Sequence, residues 1–307
     1  MSASSPHTFT FTVFTPTYNR AHLLPRVYQS LREQTWKDFE WIVVDDGSKD
    51  NTPEVVHQYH STADFTIRYY RQPNSGKHVA INRAIEVADG QLFVILDDDD
   101  WLHPLALERM WNHWNSIPEQ ERSRFAGVVG LYAHADGRVV GKPFPQDIID
   151  SNAVEIRTIY GAQGDKFGMH VTDVMRQFPF PVDLGRFVPE GLIWNRIAIS
   201  YKERYVNEVF AFTEYQPDGL SARSVLLRAR SPAAACLYYR EFAELQGVYV
   251  PYTWRLRALA NYIRFSLHNG KPVYQACQCR QKLLAAAAAP IGYIAYLRDK
   301  ILIRNMT

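Results

Sequence analysis

Two short apolar runs, Phe39–Val44 and Gln91–Leu96, each lead into consecutive aspartates, and this arrangement constrains the fold more than any other feature. Runs of this length, bounded by turn residues and nearly free of polar positions, read as strands covered on both faces. The first ends in Asp45-Asp46-Gly47-Ser48 and the second in Asp97-Asp98-Asp99-Asp100. Phe9–Thr15, Phe65–Tyr70 and Ala126–Tyr132 predict further strands, rich in β-branched and aromatic residues. Between them, His22–Gln34 sets Leu23, Leu24, Val27 and Leu31 at helical spacing, and Thr52–Tyr59, Val79–Val87 and Leu105–Trp114 also predict helices. Strands separated by helices of this length form βαβ units, so the predicted fold is an open, doubly wound, mostly parallel α/β sheet with helices on both faces. From His134 to Ser221 the pattern loosens into turn clusters, and beyond Ala222 it turns helical. These shifts predict one domain over residues 1–221, with halves at about 9–115 and 116–221, and a helical extension over 222–307.

The 307 residues are 47% apolar and 21% charged, enough to bury a full core and unlike disordered, collagenous or coiled-coil chains. Cys236, Cys277 and Cys279 are too few for a disulfide scaffold, and a reduced, cytoplasmic setting is expected. Arg20 is the first basic residue, so no secretory leader is expected. The longest uncharged apolar stretch, Leu283–Leu297, contains Pro290 and Gly292 and is shorter than the roughly 20 residues of a spanning helix. The formal charge of +2 hides an asymmetry. From Trp254 onward nine basic residues face one acid, Asp299, which gives +8 there and −6 for the rest. A basic tail on an acidic body suits an anionic surface.

The aspartate run carries the chemistry. In open α/β sheets ligands bind outside the carboxyl ends of the strands. Four adjacent carboxylates repel one another, and a divalent cation is the usual relief. If strand geometry persists, Asp97 and Asp99 face one side and Asp98 and Asp100 the other. Such an Asp-x-Asp pair holds Mg²⁺ or Mn²⁺ through hard oxygens and leaves positions for a diphosphate; a solvated acidic loop is the plainer alternative. Asp45 and Asp46 should open on the same edge, where a carboxylate accepts from a base N–H or a ribose hydroxyl, although Asp-Gly-Ser is equally a common turn. Gly76-Lys77-His78, ahead of a helix, suits a phosphate. The chain has no Walker loop and no Gly-x-Gly-x-x-Gly, which counts against P-loop phosphoryl transfer and Rossmann hydride transfer.

In order, Pro16-Thr17-Tyr18-Asn19-Arg20, Gln34-Thr35, Phe39–Ser48, Asn74-x-Gly76 and Asp97–Asp100 resemble family 2 glycosyltransferases over about residues 9–115. The resemblance implies the GT-A fold and a hexosyltransferase that inverts the sugar of a nucleotide donor, assisted by Mg²⁺ or Mn²⁺. It implies that Pro16, Thr17, Tyr18, Arg20, Asp45 and Gly76 surround the nucleotide, that Asp46 reads the uracil of a UDP-sugar, and that Lys77 approaches the phosphates. Asp98 then serves the ribose and sugar and Asp99 the metal, with Asp97 kept as a ligand because the run leaves the register open by a residue. In the family a Glu-Asp pair before a helix supplies the base. The equivalent here is Pro189-Glu190-Gly191-Leu192-Ile193-Trp194, in which Gly191 replaces the second acid and Glu190 is the expected base. Gly164-Asp165-Lys166 and Tyr215–Ser221 resemble segments of bacterial surface-polysaccharide members, so Asp100, Trp101, Asp165, Lys166, Trp194 and Asp218 are the candidates for the sugar or acceptor pocket.

The tail mixes Trp254, Leu256, Tyr262 and Phe265 with Arg255, Arg257 and Arg264, and ends in Arg298, Lys300 and Arg304. Basic amphipathic helices of this kind lie on anionic membranes, or else form an ordinary packed subdomain. The partners expected are therefore a UDP-sugar donor, a glycan or lipid-linked glycan acceptor, and an anionic membrane surface, with the protein peripheral on the inner face of the cytoplasmic membrane. No nucleic acid is expected, since the tail lacks a groove-reading motif. Two other readings stand beside this one. A sugar nucleotidyltransferase would need a Gly-rich loop where Pro16–Arg20 has none, and Gly191 raises a catalytically degenerate, scaffolding relative.

Overall fold

The computed structural model describes residues 7–214 and 224–304. The chain divides into two compact units, one of Met1–Asn152, Tyr160–Pro179 and Ser200–Tyr215, the other of Ala153–Ile159, Phe180–Ile199 and Gln216–Thr307.

The first unit begins with β1 (Phe9–Thr17), α1 (Leu24–Arg32), β2 (Phe39–Asp45), α2 (Thr52–Tyr59), β3 (Thr66–Arg71), α3 (Lys77–Val87) and β4 (Gly90–Ile95). These strands pair in parallel in the order β3-β2-β1-β4. All seven residues of β2 are buried, as its lack of alternation predicts. Phe11, Val13, Trp41 and Val43 join a core with Leu24, Val27 and Leu31 of α1. Phe14, Ile42 and Val44 alternate with them and are equally buried, on the face where α3 meets β1 and β2.

Next come β5 (Asp100–Leu102), α4 (Ala106–Asn115), α5 (Glu119–Arg122), β6 (Phe125–His134) and β7 (Ile148–Ser151). After α6 (Glu155–Thr158), part of the second unit, the chain forms β8 (Lys166–Val171) and α7 (Thr172–Gln177); α8 (Gly191–Ile197), also of the second unit, precedes β9 (Lys202–Thr213). Here the sheet is mixed. β8 inserts antiparallel between β4 and β6, β6 and β9 run parallel, and β5 and β7 each lie antiparallel on β9. The parallel expectation thus describes β3-β2-β1-β4, and the sheet continues past β4 through the reversed β8. This reversal sets the first residue of β8, Lys166, toward the carboxyl end of β4.

The second unit is helical among its described residues: α6, α8, α9 (Ser224–Arg230), α10 (Pro232–Glu244), α11 (Tyr252–His268), α12 (Val273–Ala276) and α13 (Lys282–Arg304). α11 packs on both α10 and α13 through a core that includes Ala235, Leu259, Ile263, Phe265, Ala285 and Ala288. α13 runs unbroken through Pro290. Its Gly292 meets α11 so closely that a Cβ would stand 2.5 Å from the Ala260 carbonyl oxygen. Arg255, read in the sequence as part of a membrane-facing surface, instead donates to the carbonyls of Ala243, Leu245 and Val250.

Candidate active site

The site of interest lies where β1, β2 and β4 end in the first unit. Leu96 donates to the Phe14 carbonyl at 2.8 Å as the last link of β4 to β1, and Pro16, which has no N–H, falls just beyond this pairing. The two chains part there. Asp97 then accepts from the Asp100 N–H at 3.1 Å, so the aspartate run is a turn. The alternation expected of a strand does not hold. Asp97, Asp99 and Asp100 instead gather with one carboxylate oxygen each within 4.8 Å of one another, the one such acidic group among the described residues. Asp98 is set apart from them and faces Arg20.

Basic and hydroxyl groups hold this turn in place. Arg20 Nη1 donates to Asp98 Oδ1 at 3.0 Å and to Asp99 Oδ2 at 3.2 Å. Lys77 Nζ stands 2.6 Å from Asp97 Oδ1 and 2.7 Å from Oδ2. The Tyr132 hydroxyl donates to Asp100 Oδ2 at 2.7 Å. Arg26 Nη2 donates to the Asp99 carbonyl at 2.7 Å, and its guanidinium lies 4.1 Å over the ring of Trp101, which stacks on Phe212. Arg26 and Tyr132 escape sequence reading because each looks like an ordinary residue of a helix or strand, and only the folded sheet carries them to the turn.

Burial shapes the electrostatics. It pushes the Asp98 carboxyl up to about 7, against the opposing charge of Arg20. Asp100 is likewise pushed up to about 7, first by burial and then by the charge of Asp97, and Asp99 is raised for the same two reasons. Burial and neighbouring carboxylates thus work against the charge on Asp99 and Asp100, a strain that a dication relieves. The donor set, three carboxylates with oxygens this close, fits a hard cation such as Mg²⁺ or Mn²⁺.

The end of β2 serves a different purpose. Asp45 is fully buried, its Oδ1 accepting from the Ser48 N–H at 2.7 Å and its Oδ2 from the Tyr69 hydroxyl at 2.6 Å, so it ties the turn rather than facing the edge. Asp46 donates its N–H to the Thr17 carbonyl at 2.9 Å. Its carboxylate accepts from Gln72 Nε2, the Ser75 N–H and the Gly76 N–H, each at 2.8 Å. Three of roughly four acceptor positions are thereby filled, leaving about one for a ligand. Gly47 (φ +86°) and Gly76 (φ +101°) make the close approach possible, in backbone conformations that L side chains rarely adopt. Tyr18 is exposed beside them, and Asn19, at φ +54°, donates its N–H to Ser48 Oγ.

Asp165 is exposed, while Lys166 is half-buried, lies over Phe144 and has its pKa lowered by burial. In the second unit, Glu190 directly precedes α8 and its carbonyl accepts from the Ile193 N–H at 2.9 Å, with Trp194 half-buried one turn on. A Cβ on Gly191 would stand 3.1 Å from Tyr238 Cε2. Asp218 and the segment 215–221 lie outside the described residues.

Residues 12–149 match the family model described as glycosyl transferase family 2. An uncharacterised glycosyltransferase of Nostoc sp. is 32% identical over 160 residues, which is 52% of this chain and 43% of that one. A GalNAc(5)-diNAcBac-PP-undecaprenol β-1,3-glucosyltransferase of Campylobacter jejuni is 37% identical over 108 residues, 34% of either chain. The chain spans less than half the length of these curated relatives. Among solved structures, S. aureus TarS 1-349 in complex with UDP-GlcNAc superposes with a TM-score of 0.58 at 19% identity, over 92% of this chain and 89% of that one. The mannosyltransferase PcManGT from Pyrobaculum calidifontis, in complex with GDP-Man and Mn²⁺, gives 0.56 at 17% identity, over 95% and 88%. The architecture is the GT-A fold, and residues 12–149 are similar to glycosyl transferase family 2.

Proposed function

We propose that this chain is a metal-dependent, inverting glycosyltransferase that moves a sugar from a UDP-sugar to a hydroxyl of a glycan or lipid-linked glycan. The observation that carries the reading is the convergence of Asp97, Asp99 and Asp100 beyond the carboxyl end of β4, flanked by Arg20 and Lys77. Asp99, with Asp97 and Asp100 beside it, would hold Mg²⁺ or Mn²⁺, which when bound offsets charge on the diphosphate leaving group. Lys77, at the N-terminus of α3, adds fixed positive charge for the phosphates. Asp46 uses its remaining acceptor position on the base, Asp98 serves the ribose, and Tyr18 offers an exposed ring beside the nucleoside. In the displacement, the bond from the anomeric carbon to the diphosphate breaks as the acceptor oxygen bonds to the opposite side of that carbon. Glu190 takes the acceptor's proton. Catalysis is assigned to residues 1–221, with nucleotide binding in about 9–115 and sugar and acceptor binding in about 116–221, including Lys166 and Trp194. The work would take place at the inner face of the cytoplasmic membrane, with 222–307 turned to it.

One observation favours a second reading, a binding or scaffold subunit: a Cβ at position 191 would crowd Tyr238 at 3.1 Å, so an acid there requires the ring to give way. The test is calorimetric titration with UDP, GDP, dTDP and CMP, each with Mn²⁺ and with chelator. UDP binding that requires the metal supports the transferase. Binding of another nucleotide keeps the transferase and removes the role of Asp46 on uracil. Binding of none favours the scaffold.

A further inference from the structure

α13 carries an apolar stripe that no described residue covers. Leu283 is 90% exposed, Ile291 54%, Ile294 67%, Leu297 43% and Ile301 64%. At 100° per residue these positions fall on one side of the helix, opposite Ala285, Ala288, Gly292 and Asp299, which are buried. From Leu283 to Ile301 the stripe is about 27 Å long at the α-helical rise. Exposed charge along α13 has a single sign. Lys282, Arg298, Lys300 and Arg304 all reach the surface. The one acid, Asp299, is 1% exposed and accepts from Arg264 Nε and Nη2, each at 2.5 Å, and from His268 Nε2 at 3.0 Å. The helix therefore buries its negative charge, neutralises it inside the unit, and presents only cations beside bare aliphatic side chains.

We infer that α13 docks in the plane of an anionic lipid surface, its aliphatic stripe among the acyl chains and its cations at the headgroups. This deepens the membrane partner of the proposed function, and it is independent of the donor site. A spanning role is excluded by geometry, because one side of α13 is committed to α11 and no described helix is long and apolar enough to cross. A second protein copy is the less suitable occupant: two such faces brought together would set like charges against each other, whereas anionic headgroups complement them. The sequence also points to Tyr252–Phe265 as part of such a surface. Leu259, Tyr262, Ile263 and Phe265 are instead buried in the core of the second unit, so the lipid-facing surface belongs to α13.

The experiment is flotation of the full chain with phosphatidylcholine vesicles, plain or doped with phosphatidylglycerol, alongside sizing by light scattering. The doped vesicles should bind on the order of 10³-fold more tightly, from the summed contribution of the four near-surface cations. The double variant Ile294→Glu with Ile301→Glu should lose that binding while keeping its helical circular dichroism and its nucleotide affinity. Equal binding to both vesicles, binding to neither, binding unchanged in the variant, or a stable dimer that the variant dissociates would each overturn the inference. Nucleotide titration of the same preparations reports separately on the transferase reading.

Discussion

Arg20 and Asp98 meet at 3.0 Å between the end of β1 and the aspartate turn, and the same guanidinium nitrogen reaches Asp99 at 3.2 Å. Asp98 is only 5% exposed, so its ionised form depends on that cation. Arg20→Met should leave a buried carboxylate short of a partner and destabilise the fold by about 1–3 kcal/mol. Nucleotide binding should weaken at the same time. Arg20→Lys should recover only part of either, because an ammonium lacks the fork that serves two carboxylates. Denaturant melts and calorimetry on the two variants check this; equal behaviour of wild type and Arg20→Met would mean that Asp98 is neutral in the fold.

Asp99 is the expected centre of cation binding. Asp99→Ala should remove the difference between nucleotide affinity measured with Mn²⁺ and with chelator, without lowering thermal stability, since the substitution relieves repulsion from Asp97. A metal-dependent affinity that survives in this variant would sink the assignment.

The first half of the fold was readable because its residues are governed by local pattern and burial. Thr52–Tyr59 has the predicted bounds, and β2 and β4 end within a residue of where their acidic turns begin. Beyond β6 the cues are non-local. β8 is six residues among turn clusters, and its partners β4 and β6 lie more than thirty residues away in sequence, so nothing near Lys166–Val171 indicates a reversed strand. The same limit applied within the site. Adjacent aspartates announce a charged cluster, but whether they alternate or turn depends on the Asp97–Asp100 hydrogen bond. Asp45, one residue from Asp46 and chemically identical, is sealed beneath Tyr69, a distinction no spacing rule supplies.

Glu190 is the proposed base, and its chemistry separates from binding. Glu190→Gln should keep metal-dependent donor binding and lower transfer by on the order of 10²-fold, the usual scale for a lost general base. Single-turnover transfer from a bound donor measures this. Near-normal transfer would assign the base elsewhere, with Asp165 and Asp218 the next candidates.

The buried ion cluster of the second unit gives a pH dependence whose sign is fixed. Burial works to raise the Asp299 carboxyl, but hydrogen bonds from His268 and Arg264 outweigh it and hold the pKa below the ordinary 3.8. A group depressed in the folded state contributes stability that is present above its unfolded pKa and lost as pH falls through the folded one. Asp299→Asn should therefore cost about 3–5 kcal/mol at neutral pH, as expected for breaking a buried pair. The gap between variant and wild type should narrow on acidification below about 4. Chemical melts at neutral and acid pH check both statements, and a gap that widens in acid would contradict the sign.

Gly191 and Tyr238 offer the most direct test of why a glycine, not an acid, follows Glu190. A Cβ at position 191 would lie 3.1 Å from Cε2 and 3.2 Å from the hydroxyl of Tyr238, tighter than a relaxed contact. Gly191 is the first residue of α8 and lacks a positive φ, so neither backbone conformation nor the helix dipole opposes an aspartate there. The obstacle is the ring on α10. Gly191→Asp alone should destabilise by about 1–3 kcal/mol, the ordinary cost of overpacking. Tyr238→Ala should also destabilise, through lost packing. Combined, the two should cost less than their sum by about 0.5–3 kcal/mol, because removing the ring gives the new carboxylate room. Strict additivity would show that the ring does not exclude the acid, and would send the search for its cause elsewhere on α8. If the double variant also gains transfer activity, Tyr238 is what separates this chain from the paired-acid form of the site.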